Sequence, residues 1–123
     1  MKFLIIEDNP GDLVLLKEYL GYGSGHYQFL TARSGEEGVA LAEQHRPDLA
    51  VIDVRLRGDG IDGYETCRRI KDMFPMVKVL MLTGGADALN ESKAMEAGAD
   101  HFCLKNFDYQ FMAHLIREMF DAG

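Results

Sequence analysis

Five short apolar runs, each the length of one buried strand, alternate along the chain with segments whose apolar residues recur at helical spacing. Strands are read over residues 2–6, 28–32, 49–53, 77–82 and 100–104. Helices are read over about 10–20, 35–45, 63–74, 87–97 and 107–121. Such alternation predicts a parallel sheet, because two neighbouring parallel strands need a crossover long enough to hold a helix. The runs are continuously apolar rather than alternating with polar residues, the pattern of strands covered by helices on both faces.

The expected fold class is therefore α/β: a doubly wound, five-stranded parallel sheet of flavodoxin-like order 2-1-3-4-5 with five helices, and a ligand crevice between the first and third strands where the order reverses. Local signals agree with this division. Asn9-Pro10 offers an N-cap and a first-turn proline, and Gly21, Gly23 and Gly25 end that helix. Ser34 caps the second helix with Glu37 at the capping-box position, and Pro47 closes it. Pro75 stops the third helix and Gly98 is the expected C-cap of the fourth. On the first helix, Leu15, Leu16, Tyr19 and Leu20 are expected to form the buried stripe, with Leu13 and Val14 beside it as edge residues or as a docking patch. With 123 residues, positions 1–123 are expected to form one domain with a core that needs no disulfide or metal staple.

Four of the runs lead into a polar or charged residue: Asp8, Asp53, Thr83 and Lys105. If the strands are parallel, all four meet on one edge of the sheet. A carboxylate such as Asp53, at the end of Leu49-Ala50-Val51-Ile52, is poor structure but good chemistry. Glu7, Asp8 and Asp53 crowd like charges that either raise one another's pKa or demand a cation, and their oxygens suit a hard ion such as Mg²⁺. Lys105 supplies a compact positive charge suited to a phosphoryl oxygen. Thr83 offers a hydroxyl donor, and Gly84 leaves the backbone open beside it. Carboxylate nucleophile, divalent ion, lysine and hydroxyl together describe phosphoryl transfer by positioning and charge neutralisation.

Over essentially its whole length the chain resembles the receiver domain of two-component response regulators. The matching stretches are Ile5-Ile6-Glu7-Asp8-Asn9-Pro10, Pro47 to Asp53, Asp62-Gly63-Tyr64-Glu65, Met81-Leu82-Thr83-Gly84, and Glu96-Ala97-Gly98-Ala99-Asp100 leading to Lys105. The resemblance implies that Asp53 accepts a phosphoryl group from a histidine kinase or histidine phosphotransfer protein. It implies Mg²⁺ held by Glu7, Asp8, an Asp53 oxygen and the Arg55 carbonyl, with Lys105 pairing the phosphoryl oxygens. It further implies that Thr83 turns toward the phosphoryl group while Phe102 rotates inward, altering the face of the fourth helix, fifth strand and fifth helix. Phe102 as plain core is compatible with the same position.

Three positions depart from the family pattern. Asn106 stands where relatives usually carry proline, often after a cis bond; a cis bond before a non-proline residue costs roughly 3 kcal/mol, so a trans bond or an altered loop is expected. The stretch from Asp53 to Asp62 is longer than usual, with the surplus in Arg57-Gly58-Asp59-Gly60. Arg55 lies where a family side chain flanks the phosphoryl group and is expected to prolong its lifetime.

Composition narrows the alternatives. A net charge of −7, from 13 basic and 20 acidic residues, leaves no basic stripe for nucleic acid. No apolar run reaches the length needed to span a membrane, and Cys67 and Cys103 read as buried thiols of a reducing, cytoplasmic setting. His26, His45, His101 and His114 lack metal-ligand spacing. A haloacid-dehalogenase-type phosphatase would need a second aspartate two residues after the nucleophile, where Asp53 is followed by Val54-Arg55. A flavodoxin would need a phosphate-cradling loop after the first strand. The remaining alternative is a degenerate receiver acting through protein contacts without phosphorylation. On the main reading the protein is a signalling phosphoacceptor rather than an enzyme acting on a separate substrate. Its partners are a downstream effector or output domain, with dimerisation on activation possible.

Overall fold

The computed structural model describes residues 1–21, 27–56, 60–84, 88–105 and 109–121. The elements run β1 (Lys2–Ile6), α1 (Pro10–Gly21), β2 (Gln28–Ala32), α2 (Gly35–His45), β3 (Leu49–Asp53), α3 (Gly63–Met73), β4 (Lys78–Thr83), α4 (Ala88–Glu96), β5 (His101–Leu104) and α5 (Tyr109–Asp121). The strands form one parallel sheet in the order β2-β1-β3-β4-β5, as the apolar pattern predicts.

Alternation along each strand divides the core between two faces. Leu4, Ile6, Ala50, Ile52, Val79 and Met81 pack with Ala42 of α2, Cys67 and Ile70 of α3, and Ala94 of α4. Phe3, Ile5, Leu49, Val51, Leu80, Leu82 and Cys103 pack with Leu16 and Leu20 of α1 and Met112, Ile116 and Met119 of α5. Glycines allow the closest approaches. A Cβ on Gly38 would lie 2.3 Å from the Ile6 side chain, and one on Gly63 would lie 2.1 Å from the Asp53 carbonyl oxygen.

The expected caps form. The Asn9 side chain accepts from the Asp12 amide at 3.1 Å, and Ser34 accepts from Glu37 at 3.1 Å. Asp62 caps α3 through the Glu65 amide at 2.8 Å. Gly98 takes φ +101° at the end of α4, with the Ala99 amide reaching back to the Ala94 carbonyl at 3.0 Å. Lys71 ties three segments together: its ammonium donates to the Pro75 and Val77 carbonyls and pairs with Asp100, whose carboxylate also accepts from the Val79 amide.

Two expectations need correction. Thr83 closes β4 instead of following it, because its carbonyl accepts from the Lys105 amide at 2.7 Å and extends the ladder with β5. On α1 Leu16 and Leu20 are buried with Leu13 half-buried beside them, while Leu15 is exposed with Val14, and the side chain of Tyr19 lies outside the described residues. The phase of that helix follows what lies beneath it, the Phe3 and Ile5 side of β1. The expectations for Gly23, Gly25, Arg57 to Asp59 and Asn106, including the Lys105–Asn106 bond, lie outside the described residues.

Leu16→Ala should cost about 2–5 kcal/mol of stability by urea denaturation, whereas Val14→Ala should change it by less than about 0.5 kcal/mol; equal losses would contradict this phase of α1.

Candidate functional site

The carboxyl ends of the strands deliver the charged residues to one pocket. In register, Asp53 closes β3 opposite Leu82, and the Val54 amide donates to the Leu82 carbonyl at 2.8 Å. Glu7 follows β1, and its amide donates to the Ala32 carbonyl at 3.0 Å. Lys105 follows β5, and its backbone amide donates to the Thr83 carbonyl. Asp8, Asn9, Asp12, Asp53, Gly84 and Lys105 line an opening of about 470 Å³ that Arg55 also borders. Among the described residues, a Cβ added at Gly84 would meet nothing within 4 Å.

Asp53 is buried, and both of its oxygens are engaged. One accepts from the Arg55 amide at 3.0 Å and the other from the Lys105 ammonium at 2.9 Å. The same ammonium contacts the Glu7 carboxylate and lies 2.8 Å from Asp12. Burial pulls the Lys105 pKa down, but hydrogen bonds to Asp12, Glu7 and Asp53 outweigh it and hold the lysine charged well above its ordinary range.

Glu7 is the opposite case. It is fully buried, and neither of its oxygens has a well-aligned hydrogen-bond donor among the described residues. Burial, then the Asp53 carboxylate, pushes its pKa from 4.5 up to about 8, against the pull of Lys105. A carboxylate held in this way is short of positive charge. One ligand oxygen each from Glu7, Asp8 and Asp53 lies within 4.8 Å of the others. An oxygen-only set of three clustered carboxyl groups, with a buried Glu7 oxygen that no hydrogen bond reaches among the described residues, fits a hard divalent ion such as Mg²⁺.

Thr83 and Phe102 sit on the other side of the sheet edge. Thr83 follows Met81 by two residues, Met81 pairs with Phe102, and Phe102 packs half-buried against the core under α2, α3 and α4. Continuing the alternation of their strands, Glu7, Asp53 and Lys105 belong to the side covered by α1 and α5. By this alternation Glu7, Asp53 and Lys105 lie on one side of the sheet edge and the buried Thr83 on the other.

Two participants escaped the sequence reading. Asp12 is in the first turn of α1, and helical side chains lean toward the N-terminus, back toward the strand mouth; that lean was the available signal. Glu36, at the start of α2, accepts from the Ile61 amide at 2.6 Å, which lowers its pKa, and crowds Gly60. It anchors the far end of the long loop that leaves Asp53. Cys67 and Cys103 are buried free thiols, pushed by burial up to about 12 and about 11.

Comparison with known proteins agrees with this geometry. Residues 3–117 match the family model of the response regulator receiver domain. The chain belongs to that family. It is 37% identical over 122 residues to the transcriptional regulatory protein AfsQ1 of Streptomyces coelicolor, covering 98% of this chain and 51% of that protein. It is 35% identical over 106 residues to the alkaline phosphatase synthesis transcriptional regulatory protein PhoP of Bacillus subtilis, covering 86% of this chain and 43% of that protein. The chain therefore spans about half the length of these relatives. A receiver domain protein from Methanospirillum hungatei superimposes with a TM-score of 0.88 at 27% identity, over 98% of this chain and 94% of that one. Receiver domains are signalling modules of two-component systems, and this one has the five-stranded sheet of its relatives. Among the described residues no helix is long and apolar enough to cross a membrane.

The Glu7 carboxyl sets a pH dependence. The unfolded chain releases this proton near 4.5 and the folded one near 8, so the unfolded state binds fewer protons in between. Its contribution to stability therefore falls as pH rises through that window. Metal-free Glu7→Gln should match the wild type below about pH 4.5 and become progressively more stable than it toward pH 8, measured by urea denaturation. A gap that narrows with rising pH would contradict this assignment.

Proposed function

We propose that residues 1–123 act as one phosphoacceptor receiver unit, in which Asp53 takes a phosphoryl group from the phosphohistidine of a histidine kinase or histidine phosphotransfer protein. The observation that carries this reading is the placement of Asp53 between the Lys105 ammonium and the acidic pair Glu7 and Asp8. An Asp53 oxygen attacks phosphorus, the bond from phosphorus to the donor nitrogen breaks, and the imidazole leaves with the electron pair. Lys105 is charged and already at the attacking carboxylate, so it can pass to a phosphoryl oxygen without a change of protonation. Glu7, Asp8, Asp53 and the Arg55 carbonyl are the proposed holders of Mg²⁺, which when bound supplies charge neutralisation for the transferring group.

Thr83 and Phe102 are the proposed switch. Added charge at Asp53 draws the Thr83 hydroxyl, and Phe102, on the same side of the sheet, follows into the space. The face built from α4, β5 and α5 exposes Met95, Leu104 and Phe111, a surface suited to a protein effector or to dimerisation. Gly84, Arg55 and Asn106 are proposed to modulate the rate. Output, whether through an attached domain or a separate partner, follows from that face in a cytoplasmic setting.

Acetyl phosphate with Mg²⁺ should add one phosphoryl mass to the intact protein, and chelation or Asp53→Ala should abolish the gain. No gain in the wild type would leave protein contact without phosphorylation as the function. Arg55 borders the pocket and its amide holds Asp53. Arg55→Ala should shorten the phosphoryl lifetime by about two- to tenfold, in keeping with the loss of one partly screened charge; an unchanged or longer lifetime counts against a protective role.

A further inference from the structure

Asp12 is not one of the three clustered metal-binding oxygens, yet its carboxylate lies 2.8 Å from the Lys105 ammonium and lines the same pocket. Its side chain is 27% exposed, against 10% for Lys105, so it stands at the mouth where a phosphodonor must enter. We propose that Asp12 is a specificity-determining residue, a carboxylate that holds Lys105 at the mouth and disfavours free dianionic phosphodonors. This rests on Asp53 being a phosphoacceptor.

Two effects act in the same direction. An approaching phosphoryl group must draw Lys105 away from Asp12, because one ammonium now serves Glu7, Asp12 and Asp53 together. The Asp12 charge also repels an incoming dianion directly, and a cation held by Glu7, Asp8 and Asp53 does not pair with it. The pocket lining sets three acidic side chains, Asp8, Asp12 and Asp53, against the two basic side chains of Arg55 and Lys105, with Glu7 buried behind the lysine. A protein donor brings docking contacts away from the mouth that offset this repulsion. A small molecule has only its own charge to bring, so the barrier falls selectively on it.

The test compares two small donors of different charge at saturating Mg²⁺. Acetyl phosphate is a dianion near neutral pH; its phosphorus–oxygen bond breaks and acetate leaves with the electron pair. Phosphoramidate carries a single net negative charge; its phosphorus–nitrogen bond breaks and ammonia leaves.

Asp12→Asn should phosphorylate about three- to tenfold faster with acetyl phosphate and at most about threefold faster with phosphoramidate, the larger gain belonging to the dianion. Added salt should narrow the acetyl phosphate gap between the two proteins. The singly charged phosphoryl mimic beryllofluoride, followed by fluorine NMR, should bind Asp12→Asn about two- to threefold more tightly. Asp12→Ser, a second neutral variant, should behave alike, and in the wild type alone salt should accelerate acetyl phosphate more than phosphoramidate. Equal or slower rates in the neutral variants, or the same factor for both donors, overturn the role of Asp12 and leave the phosphoacceptor reading standing. A wild type that gains no Asp53-dependent phosphoryl mass overturns both.

Discussion

Lys105 leaves the end of β5 and meets carboxylates brought by three other parts of the fold: Glu7 after β1, Asp12 in α1 and Asp53 at the end of β3. Acids gathered at a largely buried sheet edge repel one another and resist ionisation. One ammonium cannot serve every acid there, and burial followed by the neighbouring Asp53 pushes the Glu7 pKa up to about 8. Much of the rest of the architecture serves this arrangement. Parallel pairing brings the four strand ends to one edge, and the Thr83 carbonyl fixes the backbone from which Lys105 extends.

The sheet order and the placement of Asp8, Asp53 and Lys105 around one pocket were legible because each depends on local pattern: an apolar run, then a polar residue. Long-range phase was not. Leu15 and Leu13 are equally apolar, and only the side of β1 that α1 covers decides which packs on the core. Asp12 reads as an ordinary first-turn acid favoured by the helix dipole until its distance to Lys105 is known. The division of the sheet edge, with Asp53 and Lys105 on one side and Thr83 and Phe102 on the other, likewise needs the register of β4 against β5. Family resemblance supplied roles for Arg55 and Phe102 that neither spacing nor composition carries.

Belonging to the receiver family fixes the scaffold and leaves room for tuning at its rim. Here the rim is charged and tethered: Asp12 pairs with the lysine, and Glu36 clamps the returning end of the loop that starts at Asp53. Tethers of this kind alter rates of access without altering the groups that react, which is how related domains on one fold can differ in behaviour.

The contact between Gly63 and the Asp53 carbonyl has a mechanical consequence. The start of α3 is pressed so tightly on the end of β3 that not even a methyl group fits between them. The backbone at the end of β3 therefore cannot approach α3 any more closely without displacing it. Any side chain at position 63 would have to push α3 off the edge of the sheet, so this glycine sets how closely the helix can stand to Asp53.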